Sequence, residues 1–384
     1  MAAFSNMHTR QDIFDAVTRI KQVTQEPSDF LMDLLVQQQQ FACIEWLWRF
    51  KVMEEVPLPP TTILYEDVAS KIHVPGSILR AVARMAMTVG VLCETEDGRL
   101  AHNPLSAALV TDDDLATWLS HILNRSVPCM RAFPQAAVNW PNPAKGNETA
   151  YNVAMNTDLP FFDHLKANPD IGAEFGKYMQ SQAKVNTGAS VDHLVTGFDW
   201  AALGNAKIVD VGGNSGSASL ALAQAFPHLR FIVQDLPDPI QQARSQAESS
   251  FSKETAARIE FMEHDFFTEQ PVKDADIYLL RMIIHDWPDA DAVRILKLLT
   301  TAMIKPGSRI VIMDMMLPPP GSRSRTLEAI LRQKDLMMRQ VLNAKEREAE
   351  DWHALIRAVE DGLHINAIRC PEGSHHSIFE IRRR

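Results

Sequence analysis

The sequence predicts a two-part chain: a mostly helical amino-terminal domain, winged-helix-like in its order of elements, followed by a doubly wound α/β domain of seven strands. Three observations predict it. At 384 residues the chain is longer than one hydrophobic core usually organises. Apolar residues at helical spacing fill the amino-terminal region. The last part then alternates short apolar runs with helical patterns, as a parallel sheet with crossover helices requires. The boundary falls between residues 112 and 113, giving domains 1–112 and 113–384, and 113–190 reads as a helical, substrate-lining segment of the second.

Residues 10–53 read as helical, with Leu31, Leu34, Leu35, Phe41, Ile44, Leu47 and Phe50 near helical spacing, and Pro57, Pro59 and Pro60 end the pattern. A short helix from Tyr65, a turn at His73–Ser77, a helix through Val89, a Gly90 stop and a hairpin of Val91–Glu96 with Arg99–His102 follow. Helix, turn, helix and hairpin describe a winged helix, which raises the reading of a DNA-binding regulator. The recognition-helix candidate, Ile78–Val89, has only Arg80 and Arg84 as cations among mostly apolar residues, so burial, partly against a second subunit, is the expectation. More apolar surface than such a domain buries internally predicts a homodimer.

In 113–190 the aromatic positions include Phe133, Trp140, Phe161, Phe162, Phe175 and Tyr178, which suit either a pocket wall or the packing of connecting helices. Strands are then expected at Lys207–Val211, Arg230–Gln234, Ile259–Met262, Ala275–Leu280 and Arg309–Asp314. Helices are expected at Ser217–Phe226, Pro239–Glu248 and Asp289–Met303, and two antiparallel strands at Leu363–Arg369 and Ser377–Arg382 close the chain.

A formal net charge of -10 opposes nucleic acid and anionic membrane surfaces as partners. Cys43, Cys93, Cys129 and Cys370 have neither metal-ligand spacing nor the density of a disulfide framework, so no metal site is expected and a reducing compartment is. The amino terminus lacks the basic and apolar regions of a secretory signal, and no apolar run is long enough to span a bilayer. A cytoplasmic protein is the expectation.

The turn after the first expected strand is Gly212-Gly-Asn-Ser-Gly216, at the strand edge where open α/β sheets bind ligands. Gly212 and Gly213 permit positive φ and close approach of a ligand, although structural turns use the same residues. The G-x-G-x-x-G of dinucleotide enzymes is not met. Asp235, ending the second strand, suits a ribose diol, and Asp265 with Phe266 after the third suits an exocyclic amine and a purine ring.

Val209-Asp-Val-Gly-Gly, Phe231-Ile-Val-Gln-Asp-Leu-Pro, Asp265-Phe266 and His285-Asp-Trp-Pro-Asp289, in that order, resemble the caffeate-type family of S-adenosylmethionine-dependent O-methyltransferases, above all its fungal secondary-metabolism members. The resemblance runs over nearly the whole chain. It implies a Rossmann-like methyltransferase domain, a dimerising amino-terminal module and S-adenosylmethionine as cofactor. Gly212 and Gly213 would face the cofactor's amino-acid end, Asp235 with Leu236 the ribose, and Asp265 with Phe266 the adenine. Arg281 stands where the family often has Lys, four residues before the catalytic His.

His285 suits the general base, since an imidazole takes a proton from a phenol or enol near neutral pH. The resemblance supplies Asp314 and Glu346 as carboxylates flanking the ring, with Asp314 one methylene shorter than the commoner Glu. It also places Met179, Met337 and Met338 near positions that contact the cofactor or sandwich an aromatic acceptor, and Phe162 is the aromatic candidate. The helix expected at Thr326–Val341 turns Met337 and Met338 to different faces. The implied activity is methyl transfer to a hydroxyl of a small aromatic, polyketide or alkaloid-like metabolite. The rival enzyme class is a relative that binds the same cofactor yet catalyses dehydration or a pericyclic reaction, for which no base beside the methyl group is needed.

Overall fold

Near-continuous apolar runs such as Lys207–Val211 and Ile277–Arg281 belong to strands buried on both faces, and here they form the parallel centre of one sheet. The computed structural model describes residues 7–384; Met1–Asn6, on which the expectation about a secretory signal rests, lie outside them. The described residues form two compact units. One comprises the chain up to Val127 together with Ala173–Val185, the other Pro128–Gly172 with Asn186–Arg384.

In the second unit the strands are β1 (Lys207–Val211), β2 (Arg230–Asp235), β3 (Ile259–Glu263), β4 (Ile277–Arg281), β5 (Arg309–Asp314), β6 (Leu363–Arg369) and β7 (Ser377–Arg383). They lie in the order β6-β7-β5-β4-β1-β2-β3. The first five pair in parallel, and β7 pairs antiparallel with both β5 and β6. The chain winds outward from β1 through β2 to β3, then returns to β4, so the order reverses between β1 and β4. Ligands of open α/β sheets bind outside the carboxyl ends at such a switch point. β2 runs one residue further than expected because Asp235 still pairs with Glu263.

Alternation along the strands divides the core. Val209, Val211, Tyr278, Leu280, Ile310 and Ile312 meet Ile295, Leu296 and Leu299 of one helix and Trp352, Leu355 and Ile356 of another. Ile208, Phe231, Val233, Leu279, Val311 and Met313 meet Leu222, Leu194 and Trp200 on the opposite face.

In the first unit the expected helical stretch is two helices, α1 (Met7–Thr24) and α2 (Pro27–Arg49), parted at Gln25-Glu26 because Pro27 opens a new helix under a capping box from Glu26 and Asp29. After a one-turn helix at Val52–Glu55 come α3 (Tyr65–Lys71) and α4 (Gly76–Met87), followed by a hairpin shorter than expected, Cys93–Glu94 with Leu100–Ala101. The periodicity of α4 is one-sided: Leu79, Ala83 and Ala86 are buried and Ile78 is exposed. Its cations are engaged locally, Arg84 in a bidentate bond to Glu94 (2.9 and 2.8 Å) and Arg80 over the Tyr65 ring. Among the described residues no helix is long and apolar enough to cross a membrane.

Candidate active site

The turn after β1 holds three residues in the left-handed region, Gly212 (φ 71°), Asn214 (φ 49°) and Gly216 (φ 74°). Gly216 opens α5 (Ser217–Ala225). A Cβ at Gly212 would stand 2.6 Å from Ile283 Cδ1 and 3.5 Å from Phe266 Cε1, so close packing adds to the demand of its φ. Gly213 differs from the expectation, because its φ is ordinary. It is glycine because a Cβ there would stand 2.8 Å from both Asp210 Cγ and Val233 Cγ1. Asp210 is buried and accepts from Ser219 Oγ at 2.7 Å, which ties α5 to β1. Burial pushes its carboxyl up to about 6.

Asp235 closes the turn from the next strand. Its Oδ2 accepts from the Asn214 N–H (2.8 Å) and its Oδ1 from the Leu236 N–H (2.7 Å), while burial raises its proton affinity. One partner per oxygen leaves acceptor capacity for a diol. Asp265 is exposed and accepts from the Phe267 N–H at 2.9 Å. Phe266 is half-buried, edge-on to Trp287 at 5.8 Å, and Phe162 stacks on that same Trp287 at 5.9 Å. Small-residue turn, carboxylate and aromatic wall thus lie at the ends of β1, β2 and β3, a donor and acceptor set that fits a nucleoside carrying an amino-acid tail. Arg281, ending β4, spends one N–H on the Ala189 carbonyl (2.6 Å), and its buried Nε has no partner.

His285 sits in a one-turn 3₁₀ helix, Ile284–Asp286, just after β4. The ring is buried, and Nδ1 lies 2.8 Å from Glu346 Oε1. The second carboxylate at the ring is Asp286, with Oδ1 3.5 Å from Nε2. The sequence placed Asp314 in that position; its Oδ2 instead accepts from the backbone N–H of Ile284 (3.0 Å) and of His285 (3.3 Å), because Asp314 ends the adjacent strand and reaches the turn from the side of its main chain. Burial opposes a charge on His285, but Glu346, Asp286 and Asp314 outweigh it and push the ring up to about 10. Burial likewise pushes Asp314 up to about 7 and Asp286 to about 6.

Two supports escaped the sequence reading. Arg347, fully buried, donates to the carbonyls of Ile284 and Trp287 (both 2.9 Å) and to Asp289 Oδ1 (3.0 and 2.8 Å), locking both ends of the His285–Asp289 segment. Asp335 accepts from the Glu346 N–H at 3.0 Å. Neither carries a motif, although Asp289 closes one. Asp286 was in view as the neighbour of His285, and only the geometry gives it contact with the ring.

Met338 is buried and Met337 half-buried on α7 (Arg325–Leu342), which packs against the His285 turn; α6 (Asp289–Ala302) precedes it in the chain and α8 (Ala349–Val359) follows. Met179 belongs to the first unit, where its neighbour Tyr178 stacks on His121 at 3.6 Å.

The O-methyltransferase domain family matches residues 142–360 of this chain. O-methyltransferase fsr2 of Gibberella fujikuroi is 50% identical over 97% of this chain and 95% of its own length. The solved structure of the mitomycin 7-O-methyltransferase MmcR is 26% identical, with a TM-score of 0.74 over 96% of this chain and 100% of that one. A structure described as a pericyclic reaction enzyme is 25% identical, with a TM-score of 0.79 over 100% of this chain and 96% of that one.

Proposed function

We propose, from the premise that this chain belongs to the S-adenosylmethionine-dependent O-methyltransferases, that His285 is the general base for methyl transfer to a hydroxyl of a small aromatic, polyketide or alkaloid-like metabolite. The observation that carries the reading is the bond between Nδ1 and Glu346, which fixes the ring and leaves Nε2 as the nitrogen for the acceptor. S-adenosylmethionine supplies the electrophile, a methyl group on a sulfonium. The turn at Gly212 and Gly213, Asp235 with Leu236, and Asp265 with Phe266 orient it, and Arg281 holds the segment at Ala189 beside it. Met337, Met338, Phe162 and Met179 are assigned to the acceptor.

With its proton affinity raised, the resting ring is an imidazolium at neutral pH. Asp286, 3.5 Å from Nε2, favours that protonated form, so the free base that meets the acceptor hydroxyl is the minority form and grows as pH rises. Glu346 then stabilises the charge that returns when the hydroxyl is deprotonated, and Asp314 keeps the backbone of the turn from yielding. The base and its carboxylates speak against a pericyclase, which needs a fixed positive charge rather than a proton acceptor.

The first domain, 1–112, is assigned as a winged-helix-like dimerisation module. Support comes from the apolar residues that α1 and α2 leave in water, among them Phe14 (54% exposed), Ile20 (62%), Leu31 (66%) and Leu35 (65%). Methyl-labelled cofactor supplied with a panel of phenolic metabolites tests the function. Label should appear on oxygen; label on carbon or nitrogen alone contradicts it.

A further inference from the structure

α7 packs against the His285 turn, and Lys334 stands on that helix one turn before the buried Met338, on the same face. The lysine is half-buried, yet among the described residues it has no hydrogen bond or ion pair. It lies within electrostatic reach of Glu346, His375 and His376. Glu346 gives Oε1 to the His285 ring, and its Oε2 is buried without a partner. His376 precedes β7, whose first residue pairs with Asp314 at the carboxyl end of β5, so it too stands at the ligand-binding edge. It is 2% exposed, and its Nδ1 is unpartnered. His375 is fixed alongside by its N–H to the Gly188 carbonyl (2.8 Å), with its ring where a side chain on Gly188 would stand. That bond and the one from Arg281 to the Ala189 carbonyl strap residues 188 and 189 to the same sheet edge.

A half-buried lysine within electrostatic reach of Glu346 but bonded to no protein group has its three ammonium N–H donors free for a ligand. We propose that Lys334 is a specificity-determining residue that receives a second, acidic oxygen of the acceptor, a carboxylate, enolate or phenolic oxygen neighbouring the hydroxyl that His285 deprotonates. His376 completes that wall with a neutral ring, since burial holds its proton affinity well below the ordinary value. The acceptor class is thereby narrowed to aromatic hydroxyl compounds carrying an ionised or ionisable oxygen beside the methylated position. The inference rests on the reading of His285 as the base.

Calorimetric binding to the full chain loaded with S-adenosylhomocysteine tests it, using 1-hydroxy-2-naphthoate and 1-naphthol, which differ only in the carboxylate. The unaltered protein should bind the naphthoate about tenfold more tightly or better, as a charge-assisted bond allows. Lys334→Met should erase that preference, and Lys334→Arg should keep part of it, while affinity for S-adenosylhomocysteine stays the same in all three. Equal binding of the two probes, binding of neither at millimolar concentration, or a preference that survives in Lys334→Met overturns the proposal. A lysine that serves only as countercharge to Glu346 would weaken both probes alike. Failure of the His285 reading shows separately, as methyl transfer that survives replacement of that histidine.

Discussion

At the scale of single residues, the behaviour of His285 is set by three carboxylates competing with burial. Because Glu346, Asp286 and Asp314 raise its proton affinity to about 10, the free base becomes more abundant as pH climbs through and beyond neutrality. The pH profile of kcat/KM should therefore rise with a midpoint above the ordinary histidine value of about 6.5. Glu346→Gln removes a carboxylate that favours the charged ring, so it should move that midpoint down. A midpoint at or below the ordinary value in the unaltered enzyme contradicts this account of the site. The sequence made His285 legible as a candidate through a family motif, and Glu346 through the position the resemblance gave it. It did not reveal that Asp314 bonds to backbone N–H groups while Asp286 reaches the ring, since both outcomes depend on how a one-turn helix follows β4. Arg347 was equally hidden: a charged residue with no motif reads as surface, and burial becomes visible only with its carbonyl partners in place.

At the scale of elements, two short segments hold the site on the sheet. Arg347→Met would leave the Ile284 and Trp287 carbonyls unpaired beneath the His285 segment, which should cost roughly 2–4 kcal/mol in urea unfolding and lower kcat more than cofactor affinity. Unchanged stability would show that solvent or a neighbour replaces those bonds. In the turn after β1, Gly213→Ala drives a methyl group into Asp210 and Val233. Overpacking there should destabilise the fold by roughly 1–3 kcal/mol and weaken binding of S-adenosylhomocysteine. Strands were the most legible elements, because apolar runs between turn residues permit few alternatives. β1 and β5 have the expected limits, and β2 gains Asp235 through its pairing with Glu263. The break between α1 and α2 was less legible: apolar spacing continues across it, and the signal lies in Pro27 and its capping residues rather than in periodicity.

For the whole molecule, the apolar faces of α1 and α2 predict self-association. The unaltered chain should sediment as a dimer at micromolar concentration, and Leu31→Glu with Leu35→Glu should shift it toward monomer. A stable monomer of the unaltered chain contradicts that assignment. The family, the cofactor and the class of reaction were legible because four motifs fall in order along the chain, each at a strand end. Acceptor identity was not, since the candidates Phe162, Met179, Met337 and Met338 lie on helices far apart in sequence, where spacing carries no information about which of them an acceptor would meet. The central claim is that His285 removes the acceptor's proton during methyl transfer. Its most direct test is turnover of a phenolic acceptor with a free hydroxyl by the unaltered enzyme and by His285→Gln, with product and S-adenosylhomocysteine quantified together. The account predicts one S-adenosylhomocysteine released per O-methyl product, and a loss of roughly 10²–10⁴-fold in kcat for the variant with little change in cofactor affinity. Product formed at an unchanged rate by His285→Gln, or formed without release of S-adenosylhomocysteine, would contradict it.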